Sequence, residues 1–479
     1  MRPSSPFAPL PRLLASLPAF YGFRAAGLAL VALGALAAPG CASSAVPTTP
    51  AVAPTAPASL PFIEDDYARA VTEAKGAHKL LFVDAWAPWC HTCLSMKAYT
   101  FRNAKVRARA GDLVWAAIDT EKAVNADWVA AHPMHAWPTL FVVDAESGKT
   151  VLEWPNSATP DELVHLLDVA EASQHHEGVL AKADERALAG NAAAAAGKPA
   201  EAITAWREAL AVAPDGWTGR AATLESLVDR LFANKNEKDD AACAETAERE
   251  LPKLPRGGAR TATIAVMCIT RMPAGDARRM VLDRALDRAR AMAVDENEPM
   301  LPDDRSALYE VLVDALESDG RNADAKAAAG QWATFLEGAA QGAPDAASRA
   351  VFDAHRVDAY LAVGTPERAV PMLELSARDF PGDYNPPARL ARAYLAMKRY
   401  DDALAAIDRA LGLVYGPRAL RLVSTKADVL AARGKAGDRA LAAVTLREGV
   451  AHAGSALPPR YAPLAQELLQ RAGTLDAAH

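Results

Sequence analysis

Cysteine is scarce in this chain, with five among 479 residues, and the spacing of those five excludes two common chemistries. A structural zinc site needs four ligands, and no second CxxC or HxxxH lies near the one CxxC present, Cys90-His91-Thr92-Cys93. Attached haem needs a histidine directly after the second cysteine, where Leu94 stands. Positive charge is not in excess either. Lys and Arg number 52 against 59 Asp and Glu, a net charge of −7, so nothing points to nucleic acid. Multiple membrane spans are absent, so the chain cannot itself carry electrons across a membrane. From about residue 176 onward there is no β-like run, metal motif, phosphate loop or nucleophile elbow. What remains is an ordinary globular balance, 51% apolar and 23% charged, over a length that allows two or more domains with real cores.

The one chemistry-bearing motif is well placed. Trp89-Cys90-His91-Thr92-Cys93 follows the apolar run Leu80–Trp86, which reads as a buried strand turning into a helix. If Cys90 begins that helix, its sulfur faces unpaired backbone N–H groups and the positive end of the helix dipole, and both favour thiolate. Cys93 falls one turn later, within reach of a disulfide. Asp84 is a carboxylate in an apolar strand, where its pKa should rise and where it could trade a proton with the second cysteine. Trp137-Pro138-Thr139 opens another apolar run. A cis bond at Pro138 would present the Trp137 backbone to an extended substrate peptide. Trp89 and Trp137 are candidates for an exposed apolar collar around the site, and Trp86 for core packing. His91 is either a tuner of Cys90 or a solvated residue at a helix start. His132 and His135 read mainly as solvated loop residues, with thiol-assisted metal handling as the rival.

The surrounding elements are predicted as a helix over 62–77, a strand over 80–85, a helix over 90–110 and a strand at Leu113–Ile118. A helix over 121–131 follows, then a hairpin of Thr139–Asp144 and Thr150–Trp154. A closing helix, capped by Thr159-Pro160-Asp161, runs to about 173. Through VDAWAPWCHTC and WPT, the stretch from about 62 to 173 resembles the thioredoxin superfamily. More narrowly, through Cys93 followed by Leu-Ser-Met-Lys-Ala-Tyr99-Thr100-Phe101, it resembles the periplasmic C-terminal domain of the thiol:disulfide interchange reductase DsbD. The resemblance implies a nucleophilic Cys90, a resolving Cys93, a buried acid at Asp84 and a cis-proline at Pro138, with substrate held by Trp89, Trp137, Pro138 and Thr139. Two departures leave the direction of electron flow open. His-Thr separates the cysteines, and Lys97 stands where the reductase often has an acid. A charged His91 and Lys97 would stabilise a thiolate and make the couple more oxidising.

The N-terminus carries Arg2, Arg12 and Arg24 before the apolar Ala25–Ala38, the pattern of a signal peptide. Ala38-Pro39-Gly40-Cys41 resembles a bacterial lipoprotein box, which makes Cys41 a lipidation site; ordinary cleavage near Ala38 or Ala42 is the alternative. The uncharged Ala/Pro/Thr/Ser stretch after it reads as a tether. Export implies an oxidising compartment, the cell envelope or periplasm, with a lipid anchor in a bacterial membrane. Cys243 and Cys268, both on helical segments, are open to pairing or to staying as buried thiols.

From about 176 a period of 34 residues appears. Gly190, Gly197, Ala202, Trp206, Ala209 and Pro214 fit it, as do Tyr360, Gly364, Ala369, Leu373 and Pro381, then Tyr394, Ala403, Ile407 and Ala410. Weaker copies lie near Gly320, Ala325 and Trp332 and over 418–452, while 233–262 fits badly, with Asn234–Asp240 expected as a loop. This spacing resembles tetratricopeptide helical arrays, which stack paired helices and expose a groove for a protein partner.

The expected organisation is therefore a signal peptide and lipoprotein box (1–41), a tether (42–60), an α/β thioredoxin fold (61–175) and an all-α tetratricopeptide-like repeat domain (176–479). The expected activity is that of an exported thiol:disulfide oxidoreductase. It needs no cofactor beyond the Cys90–Cys93 pair and no metal. Its partners are protein disulfides, a separate redox protein and a protein bound in the helical groove. The alternatives are an envelope assembly scaffold in which the array does the work, and a metal-handling thiol protein.

Overall fold

The computed structural model describes residues 59–175, 182–254, 256–454 and 457–477. The signal peptide, Cys41 and nearly all of the tether lie outside the described residues. The described residues are mostly helical, with one small sheet at their N-terminal end. Among the described residues no helix is long and apolar enough to cross a membrane.

Five strands form the sheet: β1 (Phe62–Glu64), β2 (Leu80–Trp86), β3 (Val114–Asp119), β4 (Thr139–Asp144) and β5 (Lys149–Pro155). Their spatial order is β1-β3-β2-β4-β5, with β1, β3 and β2 parallel and β4 and β5 antiparallel. Central β2 is buried on both faces, which is why it reads as a continuous apolar run. Side-chain alternation sends Phe82, Trp115, Leu140 and Val142 to one face and Leu81, Val83, Ile118 and Phe141 to the other. The first face is covered by Leu163 and Leu167 of a helix, Pro160–His175. The second is covered by Ala70 and Ala74 of Tyr67–Ala77, with Trp128 and Val129 of Ala126–Ala131.

Three local expectations need correction. The helix expected over 62–77 starts only at Tyr67, capped by Asp66, because Phe62–Glu64 pairs with Trp115–Ala117 as an edge strand. The helix expected over 90–110 is broken. His91–Ser95 runs into a wider π turn at Met96–Thr100, and Asn103 caps a fresh short helix at Ala104. The loop expected over Asn234–Asp240 is helical from Glu237. Asn236 accepts a hydrogen bond from the Asp239 N–H, and Glu237, Asp239 and Asp240 place negative charge on the first turn.

Paired helices fill the rest. The pair Lys182–Ala195 and Pro199–Val212 touches where Gly190 lies under Trp206; a Cβ at Gly190 would overlap the indole. The best-formed repeats lie further on, in Asp353–Val363 with Ala369–Asp379 and Asn385–Ala396 with Tyr400–Leu413. Tyr360, Leu373, Ala403, Ile407 and Ala410 are buried there, small residues at the contacts and large ones between them.

Cys243 and Cys268 join two neighbouring helices, Glu237–Glu250 and Ala259–Arg271, as a disulfide buried in the helical core. It closes a segment with a sequence separation of 25 residues. Replacing both cysteines with alanine should lower unfolding stability by about 3 kcal/mol through the loop-closure effect. Urea denaturation would measure that loss, and a loss under about 1 kcal/mol would make the bond incidental.

Strands and helices share buried contacts. The described residues form one compact unit. Leu301 packs into the core of the sheet, and Ala98 into the core of the helices. Arg260 lies largely enclosed between them. It holds Glu162 of the last sheet-side helix at 2.9 Å and Glu225 of the array at 2.8 Å. The Ser157 hydroxyl donates to Asp304 at 2.6 Å.

Candidate functional site

Where β2 runs out, Ala87-Pro88-Trp89 turns the chain and Cys90 caps the helix His91–Ser95. The Cys90 Sγ accepts a hydrogen bond from the Cys93 N–H at 2.9 Å, and the two cysteines are disulfide-bonded. Both cysteines are buried, Cys93 fully and Cys90 to 4% exposure, and Cys90 is the one that borders a cavity. The pair sits in an aromatic nest of Trp86, Trp89 and Trp137. The Trp137–Pro138 bond is cis.

Asp84 lies on β2 between Ala117 of β3 and Leu140 of β4. It is fully buried, and among the described residues neither carboxylate oxygen has a hydrogen-bond partner. Burial pushes its pKa up to about 7, opposed by the charge of Lys97 and reinforced by that of Glu64. Lys97 belongs to this carboxylate. Its amine lies 3.0 Å from the centroid of the Trp86 ring, and its pKa is lowered by burial while Asp84 and Glu64 hold it up.

The array supplies residues that sequence reasoning missed. Asp303, at the start of the helix Pro302–Ser318, is buried and reaches both residues between the cysteines. His91 Nδ1 lies 2.9 and 3.0 Å from its two oxygens, and the Thr92 hydroxyl donates to it at 2.8 Å. Burial works to raise the Asp303 pKa, but His91, His355 and Thr92 outweigh it and hold the carboxyl down at about 2. His355 packs its ring 4.0 Å from that of His91. Its pKa is lowered by burial but raised overall by Glu310 and Asp303. Among the described residues, His91, Asp303 and His355 are the group whose ligand atoms lie close enough together, within 4.8 Å, to hold a metal ion. Here Asp303 is occupied by His91 and Thr92, and His355 Nδ1 lies 2.6 Å from the Ser306 hydroxyl.

Asp303→Ala should cost about 3 kcal/mol of stability at neutral pH, because it leaves His91 and Thr92 without their acceptor inside a buried contact. Urea titration would show it. An unchanged midpoint would mean that the array does not brace the dithiol helix.

The two indoles are not the open collar expected from sequence. Trp89 N–H donates to Glu121 at 3.1 Å, and Trp137 N–H to the Thr120 hydroxyl at 2.9 Å. Arg418 stacks 4.7 Å over Trp89 and Arg460 5.0 Å over Trp137, so the array caps both rings. Glu121 is a hub, receiving the Tyr461 hydroxyl at 2.8 Å and the Arg418 N–H at 3.1 Å. Gly416 approaches it so closely that a Cβ there would overlap the Glu121 carbonyl. Asn385 donates to the Pro88 carbonyl at 3.0 Å. Pro138 and Thr139 are buried, and the Thr139 hydroxyl turns inward to the Ala136 carbonyl. His132 stacks on Trp128, and His135 lies 2.5 Å from Asp229 of the array; neither joins the thiols.

Comparison with known proteins speaks to the helical part. Residues 360–424 match the tetratricopeptide repeat family. Among curated proteins nothing matches the chain. Among solved structures the chain is similar to a tetratricopeptide repeat protein from Parabacteroides merdae, at 11% identity and a TM-score of 0.40, over 61% of this chain and 98% of that one. It is also similar to yeast Tom70, at 15% identity and a TM-score of 0.37, over 63% and 59%. A third is the TPR2AB domain of yeast Sti1 in complex with pHSP90, at 16% identity and a TM-score of 0.22, over 61% and 98%.

Proposed function

We propose that the protein is a thiol:disulfide oxidoreductase whose strand-bearing part is thioredoxin-like and whose helical repeats present substrate to it. The observation that carries this reading is the Cys90–Cys93 disulfide at a helix start, with Cys90 on a cavity and Cys93 buried behind it. In the reductive direction the Cys90 thiolate attacks one sulfur of a substrate disulfide. A mixed disulfide forms and one substrate thiolate leaves. Cys93 gives its proton to Asp84 and attacks the Cys90 sulfur. The second substrate thiol departs, and the Cys90–Cys93 disulfide carries away the deficit of two electrons. A separate dithiol protein restores the pair, and the reverse sequence oxidises a substrate. Thiol exchange needs no further cofactor. The likeness of VDAWAPWCHTC and WPT to the thioredoxin superfamily supports the same assignment. The signal-like N-terminus and Cys41 support export and lipid anchoring, with the division at about residue 175 separating catalytic from recognition parts. Reduction of insulin disulfides by the full chain tests the activity, and no turnover above that of a Cys90→Ser control would reject it.

A second reading is a partner-binding scaffold. It is favoured by the tetratricopeptide match at 360–424 and by the way helices of that region reach the dithiol loop. It predicts partner capture that does not depend on either cysteine.

A further inference from the structure

We infer that the cavity over Cys90 selects anionic disulfide peptides, with carboxylates beside the bond to be exchanged, and that the selecting charges belong to the helical array. The inference rests on the exchange chemistry proposed above and names its substrate class.

The cavity has a volume of about 360 Å³. One wall is the dithiol segment: Trp89, Cys90, His91 and Thr92, with Trp137. The opposite wall comes from helices Asp353–Val363, Asn385–Ala396 and Ala419–Arg433 and brings Arg389, Arg392 and Arg421, with Arg418 at the residue before the last helix. Asp358 is the one acidic residue in that lining, and it is paired with Arg392 at 2.5 Å. The lining thus holds a local excess of three positive charges in a chain whose net charge is −7. Nearby carboxylates offset part of this excess: Glu121, which accepts from Trp89, Tyr461 and the Arg418 backbone N–H, faces the Arg418 charge, and buried Asp353 faces that of Arg389, while Asp303 is taken up by His91 and Thr92. Arg418 lies flat on Trp89 and is largely buried, and its Nε has no hydrogen-bond partner among the described residues. Arg421 stands exposed at the mouth.

A concentrated positive wall facing a low-dielectric aromatic wall attracts anions and repels cations. The reactive atom in this space is the Cys90 sulfur, so a ligand that uses the site must bring a disulfide with its negative charge. The volume suits a few residues of extended peptide. Aspartate or glutamate within two residues of the substrate cysteine would fall opposite exposed Arg421 while the disulfide meets Cys90.

The test uses the full chain and three probes. Two are synthetic peptides with the same internal disulfide, flanked by two glutamates in one and two lysines in the other. The third is the uncharged hydroxyethyl disulfide. At low salt the kcat/KM for the glutamate peptide should exceed that for the lysine peptide by about tenfold or more, and the ratio should shrink severalfold in 0.5 M salt. Arg421→Glu, at an exposed position, should bring the ratio to about one or invert it. A ratio near one in the unaltered chain, with hydroxyethyl disulfide still turned over, would overturn the inference and leave the exchange chemistry standing. Failure to turn over hydroxyethyl disulfide would overturn both.

Discussion

Cys93→Ser is expected to accumulate covalent complexes with substrate, while Cys90→Ser should lose turnover by at least about 10³-fold. The asymmetry follows from placement. Cys90 begins the helix, accepts the Cys93 N–H and borders the cavity, so under the proposed exchange it is the sulfur a substrate would meet. Cys93 is fully buried behind it and can act only on Cys90. Without Cys93 the mixed disulfide has no internal resolving thiol and persists until an external one arrives. Non-reducing electrophoresis of Cys93→Ser incubated with envelope extracts should show bands that collapse on reduction. Cys90→Ser should show none. If both variants retain turnover, the exchange reading fails and the scaffold reading replaces it. If complexes form on Cys90→Ser, the roles of the two cysteines are reversed.

Asp84→Asn is expected to make the protein more stable above neutral pH and a poorer catalyst. Folding raises the Asp84 pKa from 3.8 to about 7 because burial, with no hydrogen bond to either oxygen, outweighs the opposing charge of Lys97. A folded pKa above the unfolded one means the folded state binds the proton more tightly. The favourable contribution is then complete below about pH 4 and lost as pH rises through about 7. Above neutral pH the carboxylate is a burden that asparagine lacks, although its amide also lacks partners. The titration accounts for a swing of about 4 kcal/mol between pH 4 and pH 8, so a net gain of about 2 kcal/mol at pH 8 should turn into a loss of about 2 kcal/mol near pH 4. Exchange at pH 7 should fall by about 10²-fold if Asp84 takes the Cys93 proton as proposed. Stability curves and initial rates across pH 4–9 would test both halves. Parallel stability curves for the two proteins would show that Asp84 does not titrate as described, and an unchanged rate would remove it from the mechanism.

What the sequence could disclose was local. The dithiol, strands β2 and β4 and the 34-residue spacing of Tyr360/Tyr394 and Ala369/Ala403 each rest on residues a few positions or one repeat apart. Phe62–Glu64 was hidden because three residues show no alternation and their partner β3 comes fifty positions later. Asn103 and Asn236 were readable as caps, and weighing them would have placed two helix starts correctly. The ties from the array to the dithiol had no such signal. Asp303 lies 212 positions from His91, and Tyr461 lies 340 from Glu121. Nothing near Arg418 or Arg460 marks either as the lid of a tryptophan. Folding alone brings these groups together, and it converts an expected open collar into a charged cavity.

The most direct test of the account is the reduction potential of the Cys90–Cys93 pair in the full chain, read by alkylation and mass spectrometry after equilibration in thiol–disulfide buffers. The account predicts a reversible two-electron couple between about −120 and −270 mV, the span of exchange-active dithiols, with Cys243–Cys268 still oxidised. A Cys90–Cys93 bond that stays closed to below about −300 mV would mark a structural disulfide and contradict the account.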